Sequence, residues 1–182
     1  MSPYYDEHSL NRLKMTKMKS GFRLNEMNFS LDNFSQNSKK IFEKKRVTLF
    51  SISQNLISEK TDYLIKNFEN NYDSIKKLGI HEIYYCGLEN FINLKKRFNK
   101  IKINKIKILP DEKGVFAEHL GMLTFQSKEN KKYQDKNYMA IITDGIIEKW
   151  WEDICDSKNI EKESYITEIK AENCLEYLHG AE

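Results

Sequence analysis

A chain of 182 residues, 40% of them hydrophobic, is long enough for one domain with a substantial core. Seven glycines and two prolines are too few for a chain of tight hairpins or a disordered Pro/Gly-rich polymer. The 30 basic and 27 acidic residues leave a formal charge of +3, which is too even a balance to indicate nucleic-acid binding by itself.

The first 27 residues are polar and basic. Residues 9–25 contain no acid, and their basic side chains are interleaved with apolar ones, as in an organellar transit peptide. Asp6 and Glu7 precede this stretch and favour a solvated arm over residues 1–27 instead. No apolar run approaches the length needed to span a membrane.

From residue 45 onward the predicted elements alternate between strand and helix. A run rich in β-branched residues predicts a buried strand over 45–52. Apolar residues at helical spacing predict a helix over 59–78 that ends at Gly79. The remaining elements are a strand over 81–88, a helix over 90–98, a strand over 103–109, a short helix over 115–122, a hairpin over 138–151 around Asp144-Gly145, and a closing helix over 171–178. This order predicts an α/β fold with a thioredoxin-like mixed sheet that is flanked by helices on both faces.

Five segments, taken in order, resemble the peroxiredoxin-5 class of redoxins. They are IFEKKRVTLF (41–50), KLGIHEIYYCGLENF (77–91), ILPDEKGVFAEHLGM (108–122), the hairpin over 138–151 and KAENCLEYL (170–178). The resemblance implies a redoxin-like domain over 28–182 with a peroxiredoxin-type sheet. Members of that family often form dimers, which implies a possible homodimer here.

The resemblance ends at the residues that carry the family's chemistry. These enzymes have a Pro, a Thr four positions on, the peroxidatic Cys three positions later, and an Arg just before the hairpin aromatic. A gapless alignment places Ser53, Ile57, Lys60 and Asn137 at those positions, and no cysteine precedes residue 86. A peroxidatic thiolate requires stabilisation by helix N–H groups and by a cation, and a lysine amine cannot replace it. We therefore expect a catalytically degenerate protein that binds or scaffolds a protein partner or a second copy, with no cofactor and no metal.

The alternative is a thiol-dependent peroxide reductase or redox protein that uses a relocated cysteine. Cys86 lies in an apolar strand and Cys174 on the closing helix, so both are expected to be buried. Cys155, in a polar acidic stretch, is the best candidate, although the acids beside it should raise the pKa of its thiol. The odd number of cysteines without Cys-x-x-Cys spacing predicts neither a disulfide framework nor a zinc site. It favours an intracellular, reducing compartment, cytoplasmic rather than organellar.

Two further features remain open. Seven basic residues form an acid-free basic stripe: Lys95, Lys96, Arg97, Lys100, Lys102, Lys105 and Lys107. A solvated face is the favoured interpretation, while RNA, a phosphate or an acidic protein are alternatives; Phe98 is the only aromatic nearby, which weakens a base-stacking role. Trp150 and Trp151 must point to opposite faces of their strand, so one can lie in the core while the other faces outward. An outward ring favours an interface, and a C-terminal segment that folds over it is an equal alternative.

Overall fold

The computed structural model of the protein describes residues 20–24, 28–31, 34–52, 58–125, 133–153 and 167–181. Nine strands lie in these ranges: β1 Asn28–Leu31, β2 Phe34–Asn37, β3 Arg46–Ser51, β4 Glu82–Gly87, β5 Lys107–Pro110, β6 Leu123–Phe125, β7 Tyr133–Asp135, β8 Tyr138–Thr143 and β9 Ile146–Glu152. The helices of the same ranges are α1 Ser38–Phe42, α2 Ser58–Asn70, α3 Tyr72–Lys77, α4 Phe91–Lys100, α5 Val115–His119 and α6 Ala171–Gly180.

Five of the strands form one mixed sheet in the order β5-β4-β3-β8-β9. Strands β3, β4 and β5 run parallel, joined by α2–α3 and by α4. Strand β8 pairs antiparallel with β3, and β9 pairs antiparallel with β8. The predicted thioredoxin-like mixed sheet is thus confirmed. Two small antiparallel ribbons, β1–β2 and β6–β7, were not predicted.

Helices cover both faces of the sheet because successive side chains of a strand point to opposite sides. Phe50 and Tyr85 face a core built with α2, α3, α4 and α6, in which Phe50 stacks on Phe68 with 4.0 Å between ring centroids. Leu49 and Tyr84 face the opposite core, which contains α1, α5 and β1. The expectation of helices on both faces is confirmed.

The predicted helix over 59–78 is two helices. The chain breaks at Asn71, whose backbone angles (φ −96°, ψ 4°) are not helical and whose side chain donates to the Asn67 carbonyl oxygen at 2.8 Å. Phe68 and Ile75 on either side of the break reach the same core, which is why one apolar periodicity runs through it. Gly79 ends α3 with φ +87°, as predicted.

Trp150 and Trp151 lie on opposite faces of the sheet, as predicted, and Trp151 is covered by the closing helix, which was one of the two alternatives. Trp150 stacks on Tyr138 with 5.3 Å between ring centroids, on the α1–α5 side of the sheet. Trp151 meets Tyr177 edge-on at 5.8 Å, on the α6 side. Both rings are half-buried because both faces of the sheet are covered.

Residues 20–24, the described end of the N-terminal segment, lie along the β8–β9 turn. The Gly21 amide donates to the Ile147 carbonyl at 2.7 Å, and the Leu24 amide donates to the Gly145 carbonyl at 2.8 Å. Residues 1–19 lie outside the described ranges. Among the described helices, none is both long and apolar enough to cross a membrane.

Candidate functional site

Of the four residues aligned with the family's chemistry, the structure describes Lys60 and Asn137, and Asn137 lies at the edge of the sheet where the parallel strands end. Strands β3, β4 and β5 are parallel, so their carboxyl ends share this edge, which is where open α/β sheets bind ligands. Ser51, the last residue of β3, pairs with Tyr138 of β8, which places Asn137 at this edge. Ser53 and Ile57 lie outside the described residues. Lys60 is the third residue of α2 and is partly buried, in a first turn where the helix dipole disfavours a cation.

Asn137 is held by a buried carboxylate. Its side chain is fully buried, and its Nδ2 donates to Asp153 Oδ2 at 2.8 Å. Asp153 is itself buried and accepts two further hydrogen bonds, from Thr167 Oγ1 at 2.7 Å and from the Glu168 amide at 2.7 Å. This carboxylate clip, made of Asn137, Asp153, Thr167 and Glu168, joins the start of β8 and the end of β9 to the segment that leads into α6.

The clip was missed by sequence analysis, which treated Asp153 only as an acid near Cys155. The only signal was that the strands of a hairpin with an Asp-Gly turn bring the two ends of residues 137–153 close together. The chemistry of the clip is internal, since the Asn137 amide is engaged by Asp153. An uncharged amide also offers no guanidinium fork to a bound peroxide.

A second buried carboxylate, Asp111, lies at the same edge directly after β5. Its Oδ1 accepts from the Phe116 amide at 3.0 Å and its Oδ2 from the Ala117 amide at 2.8 Å, so it caps α5. Burial raises the pKa of Asp111 to about 6, and the two amide hydrogen bonds only partly oppose this shift. Gly114 permits the turn between β5 and α5, because its φ is +67° and a Cβ there would lie 3.0 Å from a Leu123 methyl.

Both described cysteines are buried, as predicted. Cys86 is 1% exposed within β4, and Cys174 is fully buried on α6 with its Sγ 3.6 Å from Thr48 Oγ1. Burial raises the pKa of the Cys174 thiol to about 11, although the Thr48 hydrogen bond and the Arg46 charge oppose the shift. A thiol with this pKa is protonated at neutral pH and is a poor nucleophile. Cys155 lies outside the described residues.

The opposite edge of the sheet carries a cluster around Glu148. Arg46 donates to both of its carboxylate oxygens, Nη2 to Oε1 at 2.5 Å and Nε to Oε2 at 2.9 Å. Thr143 Oγ1 and Tyr177 OH donate at 2.6 and 3.1 Å. Burial opposes ionisation of Glu148, but the hydrogen bonds from Arg46 and Thr143 outweigh it and lower the pKa of this carboxyl. The cluster fastens α6 to the sheet.

Three residues of the basic stripe form ion pairs with described acids, and the other four do not. Arg97 pairs with Asp62 at 2.9 Å and with Glu89 at 3.6 Å. Lys105 pairs with Asp73 at 2.6 Å, and Lys107 pairs with Glu82 at 2.7 Å. The other four members are exposed and form no ion pair with the described residues: Lys95, Lys96, Lys100 and Lys102. Within the described ranges no group of His, Cys, Asp and Glu is suited to hold a metal ion.

No family model matches the chain. Among curated proteins, it is 27% identical over 124 residues to peroxiredoxin y4vD of Sinorhizobium fredii, covering 68% of this chain and 66% of the relative. It is 28% identical over 112 residues to a peroxiredoxin of Rhizobium etli, covering 62% of this chain and 63% of the relative. The chain therefore spans slightly less than two thirds of each rhizobial relative. Peroxiredoxin sll1621 of Synechocystis is 26% identical over 145 residues, which cover 80% of this chain and 76% of that relative.

Solved structures share the fold at low sequence identity. Reduced Prx3 from Vibrio vulnificus superposes with a TM-score of 0.75 at 17% identity, over 88% of this chain and 97% of that one. Peroxiredoxin 5 from Alvinella pompejana gives 0.74 at 19% identity, over 90% of this chain and 99% of that one. The 1-Cys peroxiredoxin of Plasmodium falciparum gives 0.74 at 21% identity, over 88% of this chain and 99% of that one. The peroxiredoxin-type sheet implied by the sequence resemblance is confirmed.

Proposed function

Because the chain is a peroxiredoxin-like protein with the thioredoxin fold, we propose that it lacks the family's peroxidase chemistry and acts as a binding or scaffolding component. The observation that carries this proposal is the contact between Asn137 and Asp153, at the edge where open α/β sheets bind ligands. The position that the resemblance assigns to an arginine holds an amide, and that amide is committed to an internal carboxylate.

Peroxide reduction sets demands that the described residues Lys60 and Asn137 do not meet. A thiolate must attack one peroxide oxygen, the O–O bond must break, and the second oxygen must leave as water once it is protonated, while the sulfur is oxidised to a sulfenic acid. Lys60 at the aligned cysteine position has no sulfur to oxidise. Asn137 carries no charge that would hold a thiolate ionised or stabilise the departing oxygen.

The two described thiols do not supply the missing group. Cys86 and Cys174 are 1% and 0% exposed, so a peroxide molecule cannot reach either sulfur in the folded protein. Each belongs to a different core cluster, on opposite faces of the sheet. The two sulfurs are therefore core packing groups, and they support a role that does not depend on thiol chemistry. As free thiols they also fit the reducing intracellular compartment that forms part of this proposal.

The competing function is peroxide reduction by Cys155, and site-resolved oxidation separates the two. The fully reduced protein is challenged with hydrogen peroxide or an alkyl hydroperoxide while dimedone traps sulfenic acid, and mass spectrometry reads each cysteine. We expect each thiol to be trapped no faster than the cysteine of a short unstructured peptide. Rapid trapping at Cys155 that disappears in Cys155→Ser and persists in Cys174→Ala would contradict the proposal.

The binding role itself predicts an assembly. The partner is either a second copy of this chain or another protein. Sedimentation velocity over a range of protein concentrations detects a homodimer. A concentration-independent monomer assigns the role to a different protein.

A further inference from the structure

A groove of about 420 Å³ runs between helix α4 and strand β5, away from the clip. The residues that define this basic groove are Phe91, Lys95, Asn99, Asn104, Lys105 and Lys107. We propose that the basic groove binds an acidic segment of a partner protein, an extended peptide that carries an apolar anchor between carboxylates. This inference gives the partner of the proposed binding role a chemical identity, and so it rests on that role.

The charged side chains that line the groove are all basic, and the acids Glu69, Asp73 and Glu82 lie at its border. Residues 91–110, which supply most of its lining, contain no Asp or Glu. Lys95 forms no ion pair with any described residue, and its ammonium lies 6.0 Å from the centroid of the Phe91 ring. The three other unpaired lysines of the stripe follow on the same helix and in the turn after it. A surface of this kind attracts an anionic partner and steers its approach.

The two paired lysines of the groove remain able to bind. Lys105 contacts Asp73, and Lys107 contacts Glu82, in ion pairs whose lysine side chains are 46% and 59% exposed. The Asp73 carboxylate is exposed as well, so its pair with Lys105 contributes little free energy, whereas the Glu82 carboxylate is only 12% exposed and its pair with Lys107 is partly buried. In both pairs the ammonium has three N–H donors. Both lysines can therefore donate to a docked carboxylate without leaving their own acids.

The floor of the groove is suited to an apolar side chain and to peptide backbone. Ile108 and Phe91, both half-buried, are the apolar side chains of the lining that remain partly exposed, and the buried Ile103 and Ile106 lie beside them. Asn99 and Asn104 bring side-chain amides, which both donate to and accept from an extended backbone. An apolar anchor surrounded by a charged rim is the arrangement that protein–protein contacts favour.

The same geometry argues against RNA. Binding of single strands relies on aromatic rings whose faces are open to bases. Phe98 and Tyr84 line the groove but are only 2% and 6% exposed, so their ring faces are occupied by the protein core. The half-buried Phe91 already lies beneath the Lys95 ammonium. The groove offers cations without a stacking platform.

Fluorescence anisotropy with three labelled probes tests the proposal. The probes are a peptide with two leucines flanked on both sides by glutamates, its counterpart with glutamine at every glutamate, and a uridine oligonucleotide. We expect the acidic peptide to bind more tightly than either of the others, with an affinity that falls as salt is added. Lys95→Glu reverses the unpaired charge at the rim and should weaken acidic-peptide binding by about tenfold or more. Asn99→Asp should weaken it in the same direction without removing a lysine.

The control is Lys66→Glu, which reverses an exposed lysine on helix α2 that does not line the groove. It should leave peptide affinity within about twofold of wild type, because an exposed charge away from the groove contributes little. Circular dichroism confirms that the three variants keep the fold.

The proposal is overturned if Lys66→Glu matches the loss caused by Lys95→Glu, or if the glutamine peptide binds as well as the acidic one. It is also overturned if the acidic peptide does not bind, or if the oligonucleotide binds more tightly. Peroxide consumption, measured on the same variants, tests the proposed function separately, so the two ideas can fail independently.

Discussion

Asn137 donates a hydrogen bond of 2.8 Å to Asp153, across the β8–β9 hairpin. The pairing depends on a shift of register by one residue. Ile142 faces Ile147, but the next pair is Ile141 with Lys149, so Glu148 is an extra residue in β9. Because of this shift, Asn137 lies opposite Asp153. The extra residue, Glu148, has a side chain that binds Arg46. The β-bulge at Glu148 therefore takes part in both polar clusters, the carboxylate clip and the cluster around Glu148.

Asp153→Ala should be strongly destabilising. The substitution removes the acceptor of the buried Asn137 Nδ2 and of the less buried Thr167 hydroxyl and Glu168 N–H. An unsatisfied buried donor costs about 1–3 kcal/mol before relaxation, and water can reach the other two in part. We expect the free energy of unfolding in urea to fall by about 3 kcal/mol. The matched control is Glu176→Ala, an exposed position on α6, which should change it by less than about 0.5 kcal/mol. Equal effects of the two substitutions would mean that the clip does not stabilise the fold.

The Glu148 cluster should contribute a stability that is lost in acid. The pKa of Glu148 in the folded protein lies below its ordinary value of 4.5, so its contribution is full above that pH and disappears as pH falls through the folded pKa. Glu148→Gln removes the charge and should cost about 1–2 kcal/mol at neutral pH, since hydrogen bonds to charged groups are involved. Urea denaturation over a pH series should show wild type and variant converging in acid. A difference that stays constant with pH would contradict the charge assignment.

The contribution of Asp111 to stability should depend on pH in the opposite direction, increasing in acid. The pKa of its carboxyl is raised from 3.8 to about 6 in the folded protein, so the folded state holds this proton more tightly than the unfolded chain does. Wild type should therefore gain stability relative to Asp111→Asn as pH falls from about 6 to about 4. The other carboxyls are common to both proteins and cancel in the difference. If the difference in unfolding free energy between wild type and Asp111→Asn becomes smaller as pH falls, the amide hydrogen bonds, rather than burial, determine the pKa of Asp111.

The buried thiols should react only through unfolding. In Cys155→Ser, the two remaining sulfurs of Cys86 and Cys174 should label with a disulfide reagent at least about a thousandfold more slowly than an exposed thiol. As urea unfolds the protein, the labelling rates of Cys86 and Cys174 should rise to that of a free thiol, because each thiol reacts in the unfolded state. Fast labelling of either one in the native state would contradict its burial.

The elements that could be predicted are those that local chemistry determines. The β-branched residues predict strand β3, and Asp144-Gly145 predicts the hairpin. Gly79 predicts the end of α3. The order of these elements then restricts the sheet to few topologies. The alignment of Lys60 and Asn137 with the family's catalytic positions stays a prediction, because it rests on a gapless alignment alone.

What escaped prediction depends on distant residues. A two-residue turn alone would place Asn137 opposite Glu152, and only the shift at Glu148 brings Asp153 there. That shift is accompanied by hydrogen bonds from Arg46, about a hundred positions away in sequence. Likewise, no local pattern reveals that Arg97 pairs with Asp62 whereas Lys95 is unpaired. Contacts of this kind decide which charges of a stripe are available to a partner.

The most direct test of the central claim is the rate at which the fully reduced protein consumes peroxide in stopped flow. We expect consumption of hydrogen peroxide and of an alkyl hydroperoxide to be no faster than that of an equal concentration of free cysteine, and to be the same in Cys155→Ser. Rapid, saturable consumption that Cys155→Ser abolishes would contradict the account and make this protein a peroxidase with a relocated thiol.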